Sequence, residues 1–112
     1  MSWSLRILDH AAQDIEAVLT VTWRSFGEVQ YEAYRRLIHD ALVEIATDPC
    51  GARVRARPEI HEQARTLHIG RIGKPARHFF LFRIAEDNVV EVARLLHDRM
   101  EIRRHVQESF DD

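Results

Sequence analysis

The apolar residues of this chain repeat at one period up to Ile45 and at another after Pro49, and that change limits what it can fold into. Ile15, Val18, Leu19, Thr22, Trp23 and Phe26 recur three and four positions apart, the stripe of an amphipathic helix. Asp9 is the expected N-cap, and Asp14 and Glu16 follow where the positive end of a helix favours acids. Gly27 ends the stripe as a C-cap. From about Glu28 a second stripe runs through Tyr34, Leu37, Ile38, Ala41, Leu42 and Ile45, until Pro49 and Gly51 stop it. Two helices joined at one glycine make an αα-hairpin, with both stripes expected in the core.

Alternation replaces the helical period elsewhere. Leu5 and Ile7 alternate with Ser4 and Arg6 in a short first strand. Residues 53–59 are basic, contain Pro58 and read as an edge strand or loop. Residues 66–71 predict a strand with Leu67 and Ile69 on one face, followed by a turn at Gly73, Lys74 and Pro75. In residues 77–84, Phe80, Phe82 and Ile84 share one face, whereas Arg77, Phe79, Leu81 and Arg83 share the other. A turn at Glu86, Asp87 and Asn88 leads to a strand over 89–96, rich in β-branched residues. A short helix is expected over 98–106. The order is an N-terminal strand, an αα-hairpin and a mostly antiparallel sheet of three to four strands. That is an α+β fold, expected to be one domain over residues 1–112.

Charge is distributed unevenly beneath a net of −2. Residues 51–84 hold eight Lys and Arg against Glu59 and Glu62, a local +6, while the segments on either side are each −4. A basic middle in an acidic chain suits a localised anionic partner, either nucleic acid or an acidic peptide. With Cys50 alone there is no internal disulfide and no zinc site built on cysteines. Seven histidines lack the spacing of a metal motif, and no glycine-rich phosphate loop is present, so neither metal nor cofactor is expected. The start carries no apolar stretch of signal-peptide or membrane-spanning length, which places the chain in the cytoplasm.

Three local sequences carry a resemblance. Ala11-Ala12-Gln13-Asp14-Ile15 is similar to the A-x-x-D-[LI] opening of the first helix in the RelE/ParE toxin superfamily. Arg57-Pro58-Glu59-Ile60, Arg65-Thr66-Leu67-His68 and Arg77-His78-Phe79-Phe80 follow a pattern of one ParE-like subgroup. Leu95-Leu96-His97-Asp98-Arg99-Met100-Glu101 resembles the [VL]-L-H-x-x-M-[DE] ending. Together they span about Leu5 to Val106, in family order.

This resemblance implies the toxin of a type II toxin–antitoxin pair, of the plasmid-stabilisation kind. Its partner is a cognate antitoxin, with a DNA-binding dimer, often ribbon-helix-helix, and a disordered acidic and apolar C-terminal tail. That tail folds onto the toxin, which meets operator DNA only through the antitoxin. ParE toxins act on DNA gyrase; RelE toxins cut mRNA on the ribosome. The RelE pattern with a C-terminal tyrosine is absent here, since Tyr31 and Tyr34 both belong to the second helix. A nuclease alternative takes Glu59 as base, Arg77 as phosphate clamp and His97 as acid. A third alternative is a toxin fold without toxicity that serves only as co-repressor. For antitoxin binding the expected residues are Arg77, Phe79, Leu81 and Arg83, on a sheet face expected to be exposed.

Overall fold

The computed structural model describes residues 3–99. Strand β1 (Ser4–Ile7) leads into the helical segment α1 (Asp9–Thr47), followed by β2 (Arg55–Ala56), β3 (Ala64–His68), β4 (His78–Ile84) and β5 (Val89–His97). The five strands form one sheet in the order β1-β5-β4-β3-β2. Every pairing is antiparallel except β1 with β5, which run parallel from Ser4 opposite Val89 to Ile7 opposite Val92. The architecture is the α+β arrangement expected, with β1 on the outer edge beside the last strand.

Gly27 breaks α1 into two arms. Its φ of 84° and ψ of −173° lie in a region open essentially to glycine alone. A straight helix of 39 residues would run roughly 58 Å, well beyond the molecule's longest dimension of 39 Å. The chain therefore folds back at Gly27, and both arms lie on the same sheet face. Ala11 from the first arm and Leu37, Ile38, Ala41 and Ile45 from the second pack with Leu67, Ile69, Phe80, Phe82, Val90, Val92 and Leu95. Burying a phenylalanine such as Phe80 or Phe82 contributes about 1.5–3 kcal/mol, so the middle of this layer dominates the core.

Turn chemistry sets the hairpins of the sheet. Asp87 and Asn88 both have positive φ, 53° and 61°, in the loop 86–88, which the Val89 N–H closes by donating to the Glu86 carbonyl. Asn and Asp tolerate that region better than other residues with a Cβ. Gly73, at φ 75°, does the same service between β3 and β4, where Arg71 and Lys74 exchange backbone hydrogen bonds.

Two expectations need correction. The N-cap is Leu8, not Asp9; Asp9 sits in the first turn, where its charge still suits the helix dipole, and Leu8 offers no side-chain cap. Nor is the whole of each stripe in the core. Trp23 is 49% exposed and Phe26 70%, and neither packs with the core between the helices and the sheet. Beyond Arg99, the expected helix over 98–106 lies outside the described residues.

Candidate partner-binding groove

Where β4 begins and β5 ends, the helical hairpin and the sheet line a groove of about 720 Å³. Val18, Val21, Thr22 and Phe26 line it from the first arm, Gln30 and Tyr34 from the second, and Pro75, Arg77, His78 and His97 from the sheet end. Its walls are apolar, and its cationic and imidazole groups gather at one end.

Strand register explains that gathering. His78 shares the helix-facing side of β4 with Phe80 and Phe82, which are in the core. His97 is its partner across the ladder. Leu81 pairs with Arg94 but Phe82 pairs with Val92, so Ala93 is an extra residue, a β-bulge. Val90 and Val92 face the helices before the bulge, and Leu95 faces them after it. Uninterrupted alternation from Val92 would turn His97 to the opposite face; the bulge turns it into the groove.

A hydrogen-bonded set follows. The Arg77 backbone N–H donates to the Tyr34 hydroxyl at 3.1 Å, and that oxygen lies 2.5 Å from Nδ1 of His78. The His78 and His97 rings meet edge to face, with centroids 5.3 Å apart. Asp98 approaches His68 at 3.3 Å and His97 at 3.5 Å. Burial, helped by the neighbouring His97, pushes the His78 imidazolium below the usual histidine range. Burial likewise raises the Tyr34 phenol, against the opposing Arg77 N–H bond. The hydrogen bond from His68 holds the Asp98 carboxyl below the usual carboxylate range. A neutral His78 accepting from Tyr34 satisfies all these contacts, which puts its own hydrogen on Nε2.

Arg77 and His97 therefore stand together, but Glu59 does not join them. Glu59 meets Arg57 at 4.0 Å. Its segment leaves β2 where the Arg57 N–H donates to Ala64, and Ala64 pairs with Arg83 at the far end of β4. Ile60 packs on the sheet face turned away from the helices, beside Ala64, Leu81 and Ala93. The base, clamp and acid of the nuclease alternative do not assemble.

The strand face expected to be exposed is largely covered. Phe79 is 8% exposed and Leu81 0%, and Leu8 and Ile60 pack with Leu81. Arg83 donates to Glu91 at 2.7 Å, and Arg6 reaches the other oxygen of the same carboxylate at 2.8 Å. Of the four residues expected to contact the antitoxin, only Arg77 is exposed. Sequence reading missed Tyr34 and His78 as site residues. A tyrosine within an otherwise aliphatic stripe was the available signal, since a half-buried hydroxyl seeks a partner.

Other features are structural. Asp14 accepts from Arg94 Nε at 2.7 Å and from the Leu95 N–H at 3.0 Å. Glu44 holds Arg53 and Arg71, and Arg53 also donates to the Gly70 carbonyl. Among the described residues no three His, Cys, Asp or Glu side chains converge to hold a metal ion. No helix of the described residues is long and apolar enough to cross a membrane.

Comparison with known proteins assigns the family. The family model for the ParE toxin of the type II toxin–antitoxin system parDE matches residues 5–102. Toxin ParE1 of Mycobacterium tuberculosis, strain CDC 1551 / Oshkosh, is 30% identical over 102 residues, covering 89% of this chain and 95% of the relative. Toxin ParE1 of strain H37Rv matches to the same extent. Among solved structures, a chain of the chromosomal ParDE system from P. aeruginosa superposes with a TM-score of 0.67. At 20% identity, over 86% of this chain and 96% of that one, the agreement is one of fold. The chain belongs to the ParE family, toxins of type II toxin–antitoxin systems.

Proposed function

We propose that this ParE-type toxin inhibits DNA gyrase without catalysing a reaction and is silenced by a cytoplasmic antitoxin whose acidic, apolar tail docks in the groove described above. The observation that carries the docking site is the pairing of an apolar groove with a cation that no carboxylate of the described residues holds in an ion pair. The Arg77 guanidinium has no hydrogen bond or ion pair among the described residues, whereas Arg6, Arg53, Arg71, Arg83 and Arg94 are each tied to a carboxylate. Phe26, Val21 and Val29, all more than half exposed, continue the apolar surface onto the hairpin tip. Apolar anchors next to a cation suit a segment that folds as it binds.

Separation of Glu59 from Arg77 and His97 favours the non-catalytic reading over the nuclease. Gyrase as target rests on the family and on that separation.

Expression in a bacterial host, alone and with the antitoxin from the adjoining reading frame, tests the pairing. Growth should stop in the first case and recover in the second. Normal growth with the folded chain alone would favour the co-repressor alternative. An Arg77→Glu substitution should weaken the complex, whereas unchanged affinity would remove the groove from the account.

A further inference from the structure

The polar end of the groove has two features that an apolar docking surface does not need: a pair of touching imidazoles and a tyrosine hydroxyl spanning one of them. We propose that it is a carboxylate-receiving site, in which an acidic side chain of the docked tail is held by Arg77 and the His78–His97 pair with uptake of a proton at His78. This rests on the reading that the antitoxin tail occupies the groove.

Tyr34 accepts from the Arg77 N–H and donates to His78 Nδ1, while His97 Nδ1 accepts from the Arg99 N–H. Each neutral ring is left with its Nε2–H as the free group. Protonating His78 adds a hydrogen at Nδ1. The Tyr34 oxygen then accepts from that N–H, and its own hydrogen is released to turn elsewhere. One proton taken from solvent thus creates a positive ring and frees a second donor. Arg77, whose guanidinium makes no hydrogen bond or ion pair among the described residues, lines the same groove.

Without a ligand this protonation is opposed. His78 is half-buried and faces Tyr34 and Asp14 from α1, His68 from β3, and His97 and Asp98 from the end of β5. Burial and the neighbouring imidazoles outweigh Asp98 and Asp14, which keeps the ring neutral. A carboxylate arriving at Nε2 reverses the balance, since an opposite charge within about 4–6 Å favours the charged form. The sign follows. A histidine whose pKa is higher in the complex adds affinity below its free-state value, and that gain is lost as the pH rises through the bound-state value. Binding therefore tightens as the pH falls through the ordinary histidine region, by up to about tenfold per pH unit for one full proton.

Isothermal titration calorimetry of the whole toxin with the purified antitoxin from the adjoining frame reads this directly. At pH 7, titrations in buffers of different ionisation enthalpy should show net uptake on the order of half a proton or more. His78→Asn keeps an acceptor at the Nδ1 position for Tyr34 but cannot gain a proton. It should abolish the uptake and flatten the pH dependence, so that the variant complex is weakened more at pH 6 than at pH 8. In the unsubstituted complex, the Cε1–H resonance of His78 should titrate at higher pH than in the free toxin. Zero uptake, or uptake that survives His78→Asn, would overturn the proton coupling while leaving docking intact if Arg77→Glu still weakens the complex. Indifference of affinity to both substitutions at every pH would overturn the docking reading itself.

Discussion

The Asp14 carboxylate binds Arg94 and the Leu95 backbone N–H together, at 2.7 and 3.0 Å. β1 pairs with β5 only as far as Val92, so the β5 edge beyond it has no neighbouring strand. Asp14 takes that neighbour's place and ties the first helical arm to the edge. Replacing it with Ala leaves a half-buried arginine and an edge N–H unpaired, a loss of about 2–4 kcal/mol. Asp14→Asn, which keeps one acceptor, should cost less. Urea unfolding of the two variants measures the difference.

Gly27 should tolerate no substitution without strain. Nothing lies within 4 Å of a Cβ built there, so the obstacle is the backbone and not a clash. Gly27→Ala forces a conformation that costs about 1–3 kcal/mol, and thermal unfolding should register it as a lower Tm. An unchanged Tm would mean that the arms do not fold back through this geometry.

Acid should loosen the β1–β5–β4 part of the sheet. Burial alone would raise the Glu91 carboxyl, but Arg83 and then Arg6 hold it below the usual glutamate range. A depressed carboxylate stabilises the fold above its unfolded-state value, about 4.3, and that contribution is lost as the pH falls through the folded-state value. Glu91→Gln should therefore be less stable than the unsubstituted chain at pH 7 and lose less on going to pH 3. Parallel pH profiles for the two proteins would contradict this.

How far the sequence spoke depends on the range of the interaction. The hairpin, its break at Gly27 and the strand order along the chain were legible because helical and strand periods are local. The first motif was legible too, and the structure gives it a reason: Ala11 is fully buried, and Asp14 caps the β5 edge. Neither the bulge at Ala93 nor its effect on His97 could be read, since a bulge is a property of two strands at once. Period-2 reasoning also put Phe79 and Leu81 on an open face; it assigns sides but not what covers them. Glu59 was grouped with Arg77 and His97 by order alone, and the fold puts its segment on the other side of the sheet.

His97 separates inhibition from nucleolysis within one molecule. His97→Gln retains size and a hydrogen-bonding group, and gyrase inhibition requires no proton transfer. The variant should stay folded by circular dichroism and should still arrest growth. Loss of a general acid costs about 10²–10⁴-fold in rate, so a folded and harmless variant would favour the nuclease.

Gyrase supercoiling by purified enzyme, with and without the toxin, separates inhibition of gyrase from every other mode of toxicity. The toxin should block supercoiling or trap cleaved DNA, the antitoxin should reverse the effect, and ribosome-bound mRNA should remain intact. Unimpaired supercoiling together with mRNA cleavage at ribosomal A-site codons would contradict the account.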